Sequence, residues 1–223
     1  MRRRTFSTTA AALGLTAALP RPVRAETGEL RFAVMRSGDR IGAHVMRFSR
    51  TGDTIEVDID IQLKVTIAYI PVYTYSHRNV ERWSGGRLAG FSSRTDDNGD
   101  AFQVDCTRRD DRLHVVTLEG EHDLPGDLMP TTYWHRRFME APGWIDTQNG
   151  KQTESTVTPM GSEQIVDAGG RIFPADRFHL EGELTLDLWY RGDNWVKLTF
   201  EASDESIIEY ELETASSLKD PFA

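Results

Sequence analysis

From Thr54 to Ile67 the chain alternates without a break between apolar and polar side chains. Ile55, Val57, Ile59, Ile61, Leu63, Val65 and Ile67 fall on one side, and Thr54, Glu56, Asp58, Asp60, Gln62, Lys64 and Thr66 on the other. A period of two sends successive side chains to opposite faces of a strand, one dry and one wet, and a helix has no use for it. At about 3.3 Å per residue such a strand runs roughly 46 Å. Strands of that length persist in sheets that twist and curl.

Turn-forming pairs punctuate the rest of the chain: Gly38-Asp39, Gly52-Asp53, Gly85-Gly86, Asn98-Gly99, Asn149-Gly150 and Gly192-Asp193 each separate runs of strand-like pattern. They predict strands near 29–36, 41–50, 54–67, 72–83, 87–95, 101–109 and 112–119, then 151–158, 163–167, 176–190, 194–202 and 206–213. Neighbours in sequence are expected to pair as an antiparallel meander. The stretch Thr132 to Met139, between Pro130 and Pro142, has helical character and lies in the longest irregular segment, 120–150. The expectation is an all-β fold: a curled antiparallel meander, half-barrel or barrel of about ten strands, with one short helical segment. It is read as one domain over 26–223.

The first 25 residues follow a different logic. Three arginines, Arg2, Arg3 and Arg4, precede a mildly apolar stretch from Ser7 to Leu19, too short to span a bilayer and suited to the core of a signal peptide. Val23-Arg24-Ala25 offers a cleavage site. Arg3-Arg4-Thr5-Phe6 resembles the core of a twin-arginine export signal, although Arg2 stands where that signal usually carries Ser or Thr. A cleavable export segment over 1–25 is therefore expected, with a bacterial periplasm as the destination.

Export would change the charge. The 223 residues hold 26 basic and 35 acidic side chains, a formal −9; without the five arginines of the first 25 residues the balance is 21 against 35, or −14. That sign disfavours nucleic acid and anionic membrane surfaces as partners. No later apolar run is long enough to cross a membrane, so an integral membrane protein is not expected. The single cysteine, Cys106, excludes an intramolecular disulfide and a cysteine-based metal site, and its alternation with Phe102 and Val104 predicts a buried side chain.

Candidate chemistry gathers in two places. On the strand 72–83 one face presents Tyr73, Tyr75, His77, Asn79, Glu81 and Trp83, aromatic bodies with convergent polar tips, as in a concave and mostly apolar ligand site. The same composition also suits a packed sheet face whose polar tips reach the rim. The irregular segment adds Trp134, His135 and Trp144, either as the mouth of a cavity or as a plug filling the sheet's interior. The ligand-binding candidates are Tyr73, Tyr75, His77, Glu81, Trp83, Trp134, His135 and Trp144, with a small apolar or lipid-like molecule as the expected partner. An envelope assembly module without a cavity and a hydrolase-like enzyme using His135 or His77 are the alternatives. No metal-ligand spacing, nucleophile elbow, phosphate loop or other cofactor motif is present, so no cofactor is expected.

Several stretches taken together resemble a known family. They are Glu81-Arg82-Trp83-Ser84-Gly85-Gly86-Arg87-Leu88, then Thr95-Asp96-Asp97-Asn98-Gly99, and Asp187-Leu188-Trp189-Tyr190 leading to Trp195-Val196-Lys197-Leu198. With Tyr133-Trp134-His135 and Ile145-Asp146-Thr147, they resemble the bacterial exported family called domain of unknown function 6134. A related family, number 3108, shares the Glu-x-Trp-x-x-Gly-x-Leu idea. The resemblance implies an exported β-rich protein and carries over no catalytic residue.

Overall fold

The structure is a computed structural model that describes residues 25–216. The export segment expected over 1–25 lies outside the described residues except for Ala25, as do the last residues of the expected domain, 217–223.

The first half of the chain is a meander of eight strands: β1 (Glu26–Arg36), β2 (Asp39–Thr51), β3 (Thr54–Ile67), β4 (Ile70–Ser84), β5 (Arg87–Asp97), β6 (Asp100–Arg109), β7 (Arg112–Thr117) and β8 (Gly120–Pro125). An insert follows, with β9 (Met129–Pro130), a 3-10 turn (Arg136–Glu140), β10 (Trp144–Ile145) and β11 (Gln152–Thr153). The second half is β12 (Ser155–Val166), β13 (Ile172–Gly182), β14 (Leu186–Arg191), β15 (Asn194–Glu201) and β16 (Ile207–Ser216). The two halves join where β16 pairs antiparallel with β1, giving one sheet of 13 strands in the order β12-β13-β14-β15-β16-β1-β2-β3-β4-β5-β6-β7-β8. The fold is all-β and this sheet is antiparallel throughout, as the alternation predicts. It is not closed: β12 and β8 are its two edges, while the insert's strands form a small sheet of their own, β11-β10-β9, in which β9 and β10 run parallel.

Local chemistry explains most of the turns. Between β5 and β6 only Asn98 and Gly99 are unpaired, both with positive φ, and the Gly99 N–H donates to the Asp96 carboxylate at 2.8 Å. That is the left-handed two-residue turn for which Asn-Gly is the preferred sequence. The sequence reading separates 151–158 from 163–167, but β12 runs from Ser155 to Val166 as a single strand, through Pro159. It shifts register between Pro159 and Gly161, because an edge strand with a bulge tolerates the missing N–H. Conversely, 176–190 is two strands, which turn between Gly182 and Leu186. The irregular segment is shorter than expected at its start, since β8 occupies Gly120–Pro125.

The insert reveals the curl. Its Ser93 contact on β5 (to the Thr147 carbonyl) and its His122 contact on β8 (to the Gly150 carbonyl) lie on one side. On the other side Arg136 pairs with Asp176 on β13, and the Tyr190 hydroxyl of β14 donates to the Tyr133 carbonyl at 2.8 Å. Strands far apart in the sheet order thus touch one short segment, so the sheet wraps around it. Trp134, Phe138, Trp144 and Ile145 of the insert join Phe32, Val57, Trp83, Val115, Leu188 and Trp195 of the strands in a single hydrophobic core. Cys106 is buried in the same core, and burial pushes its thiol up to about 12. No helix among the described residues is long and apolar enough to cross a membrane.

One element leaves the wrap. β2 accompanies β3 only as far as Leu63, and β5 accompanies β4 only from Tyr75 onward. The β3–β4 hairpin therefore parts from β2, which itself continues to Asp39, and runs past the end of β5 by about 13 Å, four residues at strand rise. Its tip exposes Ile67, Ile70 and Val72, and Tyr69 is 99% exposed. Ala68 and Tyr69 turn the chain at φ 47 and 69, left-handed values that glycine would adopt without strain.

Candidate ligand-binding cavity

Along β3 and β4 the inward side chains change character from one end to the other. Ile55, Val57 and Ile59 on β3, with Trp83, Glu81 and Asn79 opposite them on β4, are fully buried. Further along, Ile61 and Leu63, with Tyr75 and Tyr73 on the facing strand, are only half-buried. The insert fills the first end and stops short of the second, leaving an open cavity of about 460 Å³.

Strands from both halves build the walls. Ile59, Ile61 and Leu63 face Leu198 and Phe200 of β15, and Tyr210 of β16 stands beside His44 of β2 with ring centroids 5.7 Å apart. The insert contributes two edges to the wall, Thr131–Tyr133 and Asp146–Gln148. A hydrogen-bonded rim ties these edges to the sheet. The Tyr73 hydroxyl donates to Asp97 at 2.7 Å, Gln148 donates to the other Asp97 oxygen at 3.3 Å, and the Tyr75 hydroxyl donates to the Gln148 side-chain carbonyl at 3.0 Å. Burial, together with the Asp97 carboxylate, raises the Tyr73 hydroxyl pKa, and burial raises that of Tyr75, so both remain protonated donors.

Two histidines line the cavity, and both are neutral at pH 7. His77 lies beside Thr95 on β5, its Nδ1 2.8 Å from the hydroxyl, and burial lowers its pKa to about 4. His44 is lowered to about 3 by burial and, less, by His77. Neither nitrogen of His44 has a hydrogen-bond partner among the described residues. Across the cavity, burial raises the Asp146 carboxyl pKa despite donors from Gln148 and Asn149.

The eight candidate residues separate into three groups. Tyr73, Tyr75 and His77 line the cavity. Glu81, Trp83 and Trp134 form a sealed cluster at the filled end. Both indole N–H groups donate to Glu81 Oε2, at 2.8 and 3.0 Å, and the Thr132 hydroxyl and Asn79 amide also bond the carboxyl. His135 and Trp144 belong to the insert: His135 Nδ1 accepts the Arg137 N–H at the start of the 3-10 turn, and Trp144 stacks on Phe138. Sequence reasoning missed His44, Asp97, Gln148 and Tyr210. For His44 a signal existed, since it alternates inward with Met46 and Phe48 on β2.

The filled end carries its own shallow recess of about 280 Å³, bordered by Arg87, Arg108 and Arg137. Arg108 is clamped there by the carbonyls of Leu88 and Gly126, at 2.5 and 2.6 Å. Guanidinium groups thus border the closed end and not the open one. Among the described residues no group of three or more His, Cys, Asp or Glu side chains could hold a metal ion.

The model of the family described as domain of unknown function (DUF6134) matches residues 32–213. The chain belongs to that family. Among solved structures it is similar to a β-barrel-like protein of domain of unknown function DUF1849 from Brucella abortus. The identity is 12%, the match covers 84% of this chain and 98% of that one, and the TM-score is 0.56. At that identity the likeness is one of fold. No curated protein matches the chain in sequence.

Proposed function

We propose that this DUF6134 protein is exported to a bacterial periplasm, by the twin-arginine route, and there binds a small apolar or lipid-like molecule without chemically altering it. The observation that carries the reading is the open cavity of about 460 Å³ at one end of a sheet whose other end is solidly filled. That volume falls within the range of small-molecule pockets. At about 30 Å³ per non-hydrogen atom, the share of a water in the liquid, it holds roughly 15 atoms, a single short chain and not a two-chain lipid. Apolar side chains with a few polar rim groups are the composition such sites use. The arginine-rich first 25 residues support export.

The histidines favour binding over hydrolysis. A general base works best with a pKa near the operating pH, and His77, lowered to about 4, is a weak one. His135 spends its Nδ1 on the backbone of the 3-10 turn. A second reading, an envelope module that docks onto a partner, is favoured by one feature: the projecting hairpin tip with exposed Ile67, Tyr69 and Ile70.

A neutral dye of matching size, 1-aminoanthracene, tests the cavity. Its emission is expected to rise on binding at one site, and Ile61→Trp, which places an indole in the cavity, is expected to abolish the rise. An unchanged signal in the variant, or none in the natural protein, would overturn the reading.

A further inference from the structure

We infer that the occupant of this cavity is a neutral or cationic amphiphile, such as a short single-chain alcohol or amine, whose polar end reaches His44, and that anionic lipids are excluded. The inference rests on the carrier reading above and adds the chemical class of the ligand.

Charge decides the class. Three carboxylates, Asp97, Asp146 and Glu183, line the cavity, and among the described residues no lysine or arginine does. The arginines suited to answer an anion border the recess at the opposite, filled end. Neither histidine compensates, because both are neutral at pH 7. A carboxylate or sulfate headgroup entering here would lose water, find no cation in the lining (Lys151 acts on Asp146 from outside it) and meet like charge at the rim, a costly combination. An ammonium would meet carboxylates and tyrosine side chains, whose ring faces attract cations.

His44 supplies the second, independent observation. The residue is 3% exposed and lies in the cavity wall, with both ring nitrogens unpartnered and out of contact with solvent, so the ring has to turn toward the cavity for a ligand to reach it. Aromatic rings of Phe32, Trp195 and Tyr210 pack around it and offer no compensating hydrogen bond to either nitrogen. A neutral imidazole carries one donor and one acceptor. A hydroxyl can answer either of them, an ammonium the acceptor and a carboxylate the donor, so His44 calls for a polar end and the carboxylates of the lining decide its charge. Burying such a group unsatisfied destabilises a fold, so its presence at this position is accounted for by a ligand that completes it.

Calorimetric titration at pH 7 with decan-1-ol, decylamine and decanoate, each below its aggregation limit, separates the possibilities with one tail length throughout. The alcohol and the amine are expected to bind about tenfold or more tightly than decanoate, a difference of about 1.4 kcal/mol or greater. His44→Leu is expected to keep or raise thermal stability while weakening decan-1-ol binding about tenfold. Decanoate binding as tightly as the alcohol would overturn the charge selection and leave the carrier reading standing. Unchanged alcohol affinity in a folded His44→Leu protein would overturn the role of His44. Failure of all three amphiphiles together with 1-aminoanthracene would overturn the carrier reading itself. The charge series is read on the natural protein, so it decides even if the variant does not fold.

Discussion

Replacing Glu81 by leucine is expected to destabilise the fold by about 3–5 kcal/mol, although it puts an apolar side chain at a fully buried position. The reason is the company Glu81 keeps. The indole N–H groups of Trp83 and Trp134 both donate to one of its oxygens, and Thr132 and Asn79 bond it as well. Leucine offers none of these an acceptor, and each buried donor left unpaired costs roughly 1–3 kcal/mol. Glu81→Gln keeps an acceptor for the indoles but sets an amide NH2 against the Asn79 donor, and is expected to cost about 1–2 kcal/mol, less than leucine. Glutamine should also remove a pH dependence. Burial raises the Glu81 carboxyl above its ordinary pKa. The stability tied to that shift is therefore complete below the unfolded value and falls as pH rises through the folded one. Glutamine, neutral at every pH, lacks the slope. Urea unfolding checks both variants, and a leucine variant as stable as the natural protein would refute the account of this cluster.

Trp144→Ala is expected to cost a similar amount, about 3–5 kcal/mol, as large-to-small changes at buried aromatic positions do. Trp144 is fully buried, its ring lies 4.9 Å from that of Phe138, and its indole N–H donates to the Phe138 carbonyl at 3.0 Å. It also occupies the middle strand of the small sheet, paired with Met129 on one side and Thr153 on the other. The substitution therefore empties the centre of the insert and loosens its attachment to the 3-10 turn. The cavity should feel this, because Asp146 and Gln148, which form part of its wall, follow immediately in the chain. Denaturant unfolding is expected to give the stability loss, and 1-aminoanthracene the accompanying loss of affinity. Trp144→Phe keeps a ring against Phe138 without the N–H and should fall between the alanine variant and the natural protein. A loss below about 1 kcal/mol for Trp144→Ala would mean that the insert is not held by this ring.

How legible these features were in the sequence varied with the physics behind each. The strand 54–67 is legible to the residue because its apolar and polar side chains alternate along its whole length, even though only Ile55, Val57, Ile59 and Val65 of the apolar face are buried. β8 escaped because Glu121, His122 and Asp123 are exposed on an edge strand, where no dry face imposes a pattern. The turn after Gly182 escaped for the opposite reason: Leu180, Leu184 and Leu186 continue the alternation straight through it.

The site was legible on one strand only. Tyr73, Tyr75 and His77 share a face with Glu81 and Trp83, and alternation puts all five inside. It cannot say how far along that face the insert reaches, which is what makes the first three a cavity wall and the last two a sealed cluster. The insert has no periodicity, and its partners, from Ser93 to Tyr190, are distant in sequence. Asp97 and Gln148 meet only because the insert returns to the sheet, and that return has no local signature.

The central claim is that the open end of the curled sheet holds a small molecule of one class. Native mass spectrometry of the protein isolated from its own cells, run beside the Ile61→Trp variant, tests it most directly. The account predicts a one-to-one adduct on the natural protein, released by organic solvent as a neutral or cationic amphiphile and absent from the variant. A natural protein that flies at its bare mass and takes up none of the three ten-carbon amphiphiles would contradict it.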